Sequence, residues 1–562
     1  MRAAILFFSS VFCAYAFDYD VVVYGSTPAG VAAATAAGRL GMRVALYEPL
    51  KMIGGMGAAG NLALNDGGTG AERTGLAREF SLLNGAYYNV TYEVPHPESF
   101  VAAASFYTLL RDANVSTVKL DCRLLSATTA VTNGVSRVAT VNLFCEPNPV
   151  SAAVFIDASY DGDIMVAAGD VAFTAGRESN TTYNERLAGA RVPGWAGVSG
   201  PRNISALKPD GTLLKYVADV SELARPGDAD DALMAFQHRM CVSGDADRVP
   251  WPMPAGYNAN DFELMQRALD NGVGNSANFF GDLSTLPGYP GNKKKYCLCC
   301  GISVIASDQP MLNKGWANAT WERKQEIIAD HTYFELGTFY YLANDPRVPA
   351  AVRARYTALG LCSDEFVDNG YIPHQLCAPL ALERPSPPSY RISSPSPPEP
   401  LLRPLAYTDI RISNRLVGDF VLTQNNLGNP QTKQDSIAVG DWSIDEHMTG
   451  KYNVNGIVTL EGNFWPSVLP NGSNWYDLPY RAIVPKRNTG ANLIVPVCLS
   501  ASAVAYSSTR IENMFMSVGT AAGVAAKQIV DGTVATVQDV DVDTVQSILT
   551  ATFKQRIHGP PA

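Results

Sequence analysis

The sequence predicts an α/β fold, and three features in its first fifty residues predict it. Tyr19–Tyr24 (YDVVVY) is a β-branched apolar run. Val31–Leu40 is rich in alanine. Arg43–Tyr47 is a second apolar run that stops at Glu48. A continuous apolar run bounded by breakers is a strand buried on both faces, and alanine favours helix, so the three make a β–α–β unit of about thirty residues.

Each later element follows from the same rules. Gly25-Ser26-Thr27-Pro28-Ala29-Gly30 is the turn between strand and helix, and Gly41 stops the helix. Val154–Asp157 (VFID) is a short buried strand, followed by the polar segment Ala158–Asp163. Trp321–Leu342 and Ala350–Leu359 are predicted helices, Asn492–Val497 a buried strand, and Phe515–Val530 a long helix of small residues able to pack closely on a sheet. Glu383–Leu405 is dense in proline and serine and forms neither helix nor central strand. No internal repeat is visible.

Composition narrows the setting. The 562 residues are 47% hydrophobic and 17% charged, with a formal charge of −10. An acidic chain disfavours nucleic acid and anionic membranes as partners. Arg2, the apolar Ala3–Phe12 and the small-x-small Ala14-Tyr15-Ala16 have the layout of a secretory signal peptide over residues 1–16, too short to span a bilayer. The expected location is therefore extracellular or in the secretory lumen, with N-glycans possible at Asn89, Asn114, Asn180, Asn203, Asn318 and Asn471. Ten cysteines include Cys13 in the leader. The nine that remain permit disulfides and leave at least one unpaired within the chain. Cys297-Leu298-Cys299-Cys300 lacks zinc-knuckle spacing and a nearby histidine, so no metal is expected.

The glycine turn carries the chemistry. Gly25 allows the tight turn, Gly30 lets helix approach strand, and the helix N-terminus offers N–H groups to a pyrophosphate. Glu48 is placed to accept hydrogen bonds from ribose hydroxyls, and its charge disfavours a 2′-phosphate. Thr27 stands where the usual pattern has its central glycine; its hydroxyl could donate to a phosphate instead. Ile53-Gly54-Gly55-Met56 brings two further glycines where a second loop could approach the cofactor.

GSTPAGVAAATAAGRLGMRVALYEP followed by IGGM resembles the FAD-dependent oxidoreductases of the glutathione-reductase-like superfamily, some of whose members carry a xanthan-lyase label. The resemblance continues through Asp157–Gly169, Phe173–Asn180, His331–Pro349, Asn414–Gln424, Tyr480–Arg487 and Val497–Ala526. It implies FAD as cofactor and a Rossmann-like FAD-binding domain with an inserted α+β substrate domain. It implies that Gly25, Thr27, Ala29 and Gly30 hold the pyrophosphate and Glu48 the ribose. Gly54, Gly55 and Met56 would line the cofactor channel, and Asp161 would sit near the ribityl–pyrophosphate region. Arg510 and Met514 would lead into a helix whose N-terminus faces the flavin. The corresponding layout is a FAD-binding part at 17–176, a substrate or cap part at 177–479 interrupted by an insertion at about 378–405, a second FAD-binding part at 480–532 and a C-terminal tail at 533–562.

Hydride transfer to a flavin is usually accompanied by proton removal, and histidine is the commonest base. Of His96, His238, His331, His374, His447 and His558, the segments resembling the family favour His447 and then His374. Arg415 and Asp419 could pair with each other near the ring or on a helix surface, and Arg481, Lys486 and Arg487 could hold a carboxylate or sugar. Outside the cytosol no NAD(P)H pool exists, which points to a secreted oxidase of a small organic or carbohydrate substrate with O2 as acceptor. The alternatives are a FAD-retaining binding protein without turnover and a polysaccharide-lyase-associated protein.

Overall fold

The strand expected at Tyr19–Tyr24 (β1) forms over those residues in a computed structural model that describes residues 17–64, 73–194, 203–272, 295–298, 303–376, 414–428, 432–463 and 475–559. The leader 1–16, the stretch at about 378–405 and Asn471 lie outside the described residues. On one side β1 pairs with β2, Val44–Tyr47, placing Val21 opposite Val44. On the other it pairs with the strand Ala152–Asp157, placing Val21 opposite Val154. Thr117–Lys119 continues the sheet beyond β2, and Leu493–Ile494 continues it beyond Ala152–Asp157; all five strands are parallel. Val21, Val22 and Val23 have no exposed surface, as a central strand covered on both faces requires.

The strand expected over Asn492–Val497 contributes only two paired residues. The Val495 N–H turns instead to the Ile483 carbonyl, and Pro496 has no N–H to give a ladder.

Helix α1 spans Pro28–Arg39, with Thr27 as its cap and proline in its first turn, where the missing N–H costs nothing. Residues Pro28–Ala37 are all buried. The sheet covers one side of α1, and the helix Glu512–Val530 covers another. The two helices meet at glycines. A Cβ at Gly519 would fall 2.0 Å from the Ala29 oxygen, and one at Gly523 2.3 Å from the Ala33 oxygen. The small-residue helix thus packs on α1 as well as on Ala152–Asp157.

A second apolar core gathers between residues 204 and 372, with Met448, Val458 and Leu460 joining it. It surrounds the helix Trp321–Asn344 and a four-stranded antiparallel sheet that includes Met240–Ser243 and Lys295–Leu298. Part of the 177–479 span belongs to the first core instead: Ser436–Gly440 pairs with Tyr476–Pro479, and Ile437 and Ala438 pack into the main cluster. The chain after 532 packs there too, through Val545 and Leu549 of the helix Val542–Ala551. Among the described residues no helix is long and apolar enough to cross a membrane.

Candidate functional site

The glycine turn is closed by backbone geometry that side chains would break. Gly25 has φ +89°, and a Cβ there would lie 2.6 Å from the Ser159 nitrogen; one at Gly30 would lie 1.9 Å from the Gly25 oxygen. Thr27 does not hold its hydroxyl ready for a phosphate, contrary to expectation. The hydroxyl donates to the Ala158 carbonyl at 2.8 Å and accepts the Gly30 N–H at 3.2 Å, which makes it the helix cap. No acidic side chain occupies the first turn of α1, so the positive pole of that helix is left for an anion.

Glu48 ends β2 and is 2% exposed. Its carboxylate accepts the Ser26 N–H and the Ser26 hydroxyl, each at 2.6 Å, and the Leu50 N–H at 2.8 Å. Burial pushes its pKa up, against the pull of these hydrogen bonds. The second glycine loop docks on the first: the Gly54 N–H donates to the Ser26 carbonyl at 2.9 Å. A Cβ at Gly55 would come within 3.0 Å of the Thr27 Cα. From there a chain of hydrogen bonds crosses the molecule. The Met56 N–H donates to the Tyr160 hydroxyl at 2.9 Å, and Tyr160 donates to Glu512 at 2.9 Å.

Glu512 alters the expectation for the helix it opens. Its side chain lies in the first turn and is fully buried, so acid already stands at that N-terminal pole. Met514 is buried in the main core. Arg510, also fully buried, donates through Nη2 to the Asp445 carbonyl at 3.0 Å and lies 3.6 Å from the Asp445 carboxylate. Asp445 in turn lies 3.4 Å from His447 Nε2, and the other ring nitrogen, Nδ1, is 2.8 Å from Asp308. Two residues chosen from sequence, His447 and Arg510, are therefore joined through a carboxylate.

Burial alone would lower the His447 pKa, but Asp445 and Asp308 outweigh it and raise it to about 9. The imidazole is thus held as the cation at neutral pH, with a carboxylate on each nitrogen, which suits it to stabilise negative charge rather than to take a proton. Lys451, close enough to feel the charge of Asp308, donates to Gln309 at 2.9 Å, and burial pushes its pKa down to about 7. His374 stands apart from this group. It pairs with Asp368 at 3.1 Å, while the neighbouring Gln375 N–H bonds the Ala59 carbonyl behind the second glycine loop.

Asp161 accepts the Trp316 indole N–H at 3.2 Å and lies 2.5 Å from Lys324 of the helix Trp321–Asn344. The expected Arg415–Asp419 pair does not form. Arg415 lies in a strand paired to Phe173–Ala175 and meets Glu178 at 2.6 Å, whereas Asp419 accepts the Arg487 N–H at 3.1 Å. Arg481 and Arg487 make half-exposed pairs with Asp435 and Asp539. Asp308, Tyr160 and Glu512 were not singled out by sequence. Their partners lie 139, 104 and 352 residues away, and no local pattern marks them.

A parallel sheet, a glycine turn opening a buried helix, and an acid at the end of the second strand define a dinucleotide-binding α/β protein. The profile of the FAD dependent oxidoreductase family matches residues 20–549, and the chain belongs to that family. The open pole of α1 with Glu48 beside it fits the adenosine diphosphate half of FAD. Among solved structures, that of Thermovibrio ammonificans THI4 aligns at 20% identity and a TM-score of 0.22, over 28% of this chain and 66% of that one. OTEMO in complex with FAD and NADP aligns at 17% and 0.20, over 25% and 26%, and T. acidophilum thioredoxin reductase at 17% and 0.16, over 25% and 34%. This chain spans less than two thirds of each of those proteins. Curated proteins return no match.

Proposed function

We propose that the protein is an oxidase of the secretory pathway or the extracellular space, which oxidises a small polar organic or carbohydrate substrate and passes the electrons to O2. The observation that carries this reading is the buried group Asp308–His447–Asp445–Arg510, which joins the second core to the start of the helix Glu512–Val530. Bound FAD supplies a two-electron acceptor. In this reading Gly25, Ala29 and Gly30 present the α1 pole to the pyrophosphate, with Thr27 capping the helix behind it, and Glu48 takes the ribose. Gly54, Gly55 and Met56 line the channel, Asp161 stands towards the ribityl end, and Arg510 and Met514 flank the helix start. His447 supplies positive charge where negative charge develops, and Lys451 is the proton acceptor in the group at neutral pH.

The location is supported by two disulfides, Cys122–Cys145 and Cys241–Cys362. It is also supported by the exposed positions of Asn89, Asn114, Asn180, Asn203 and Asn318. The test is direct. Purified secreted protein should show flavin absorbance, be bleached anaerobically by at least one member of a polar-alcohol and sugar panel, and release peroxide on re-oxidation. Flavin that no substrate bleaches would favour a binding protein without turnover. Reduced flavin that yields no peroxide in air would remove O2 as acceptor.

A further inference from the structure

Three cysteines lie in one row across adjacent strands. Met240–Ser243 is the central strand, with Gly360–Leu361 on one side and Lys295–Leu298 on the other. Cys362 follows Leu361 directly, is disulfide-bonded to Cys241 with a Cα separation of 5.5 Å, and donates its N–H to the Cys241 carbonyl at 3.0 Å. On the opposite side Cys297 is the antiparallel partner of Cys241 and is unbonded. Directly opposed residues of an antiparallel pair share a face at Cα separations of about 4.5–5.5 Å, inside the range a disulfide spans. Cys241 therefore has two neighbours within bonding reach, one on each side.

Two contacts hold the Cys297 sulfur. Arg239 Nε donates to it at 3.3 Å, and the thiol points to the Asn61 carbonyl at 3.5 Å. Cys297 is partly exposed, while Cys241 and Cys362 are each 1% exposed. The guanidinium stands beside the sulfur on which negative charge must gather during attack.

We infer that Cys297, Cys241 and Cys362 form a thiol–disulfide exchange site in which one bond alternates between two partners. The Cys297 thiolate attacks Cys241 Sγ, and the new S–S bond forms as the Cys241–Cys362 bond breaks. Cys362 leaves as the thiolate and takes up the proton that Cys297 gave. No net oxidation occurs, and the register places Cys297 and Cys362 on opposite sides of the central Cys241. The exchange changes which strand is tied to the centre. One position anchors the strand leading to the 366–376 loop, whose Gln375 bonds Ala59; the other anchors the strand that touches Asn61. Both Ala59 and Asn61 follow the second glycine loop, so the exchange selects which support of that loop is covalent.

The test uses the full secreted protein, equilibrated at pH 8 with catalytic glutathione, acid-quenched, alkylated and mapped without reduction. Both Cys241–Cys362 and Cys241–Cys297 peptides should be recovered, interconverting over minutes to hours, with alkylated Cys362 accompanying the second. Cys297→Ser should abolish Cys362 alkylation, and Cys362→Ser should yield a Cys241–Cys297 disulfide. The inference is overturned if the folded wild type alkylates Cys297 and never Cys362, or if Cys241 in folded Cys362→Ser stays a thiol in an oxidising glutathione buffer. Should Cys362→Ser not fold, the wild-type and Cys297→Ser maps decide alone.

Discussion

His447 couples the candidate site to pH through its two carboxylates. Its pKa rises from an ordinary 6.5 to about 9 on folding, so the folded chain binds the proton more tightly than the unfolded one. The stability this supplies is fully present below pH 6.5 and is lost as pH climbs through about 9; the full shift corresponds to at most on the order of 3 kcal/mol. Lys451 acts in the opposite sense. Its folded pKa of about 7 lies below the ordinary 10.5, so its burial cost eases as pH rises from 7. The comparison that isolates His447 is therefore wild type against His447→Gln. Wild type should be the more stable at pH 6, and the gap in melting temperature should narrow steadily to pH 9.5. A gap constant across that range would show that the ring carries no excess proton. On the same reasoning Thr27→Val should weaken α1 by about 1 kcal/mol, the ordinary cost of losing a cap, read from denaturant midpoints. It should change flavin retention less than Gly30→Val, which drives a side chain into the Gly25 carbonyl.

The crossing of α1 and the helix Glu512–Val530 allows no added atoms. Gly519→Ala would place a methyl 2.0 Å from the Ala29 oxygen, at the turn that opens α1. The helices must part, and overpacking of this kind costs roughly 1–3 kcal/mol. Because Ala29 lies next to Gly30, the displacement should also lower flavin content in the purified protein. Unchanged stability and unchanged flavin would mean that the two helices can part at this point without cost. These elements were legible in the sequence because the signals are local: a valine run, a glycine–proline turn and an alanine-rich stretch each declare themselves within a few residues. The partner of Arg415 was not. A pairing with Asp419 four residues on assumes a helix, but Asn414–Leu416 is a strand, and its neighbour across the sheet brings Glu178 instead. His447 and Arg510 could be named through the segments that resemble the family, while Asp308, whose place beside His447 is set by the tertiary fold, could not.

At the scale of the whole molecule, buried ion pairs join segments far apart in the chain. Arg177 is the clearest case. Its guanidinium lies 2.5 Å from Asp230 and 2.9 Å from Glu461, with 4% of its own side chain exposed. Thr449 also donates its hydroxyl to Glu461 at 2.5 Å, and the Arg191 N–H donates to the same carboxylate at 2.7 Å. Arg177→Met would leave the buried Glu461 carboxylate and the partly exposed Asp230 carboxylate without the cation, and losing one partner of a buried pair costs about 3–5 kcal/mol. The neutral triple variant Arg177→Met with Asp230→Asn and Glu461→Gln removes the uncompensated charge and should recover much of the stability, because the pairing offsets a desolvation cost that the amides do not incur. Urea midpoints for wild type, single and triple variants separate the two ideas. If the triple variant is as unstable as Arg177→Met alone, then hydrogen-bond geometry at Glu461, rather than charge balance, holds these segments together.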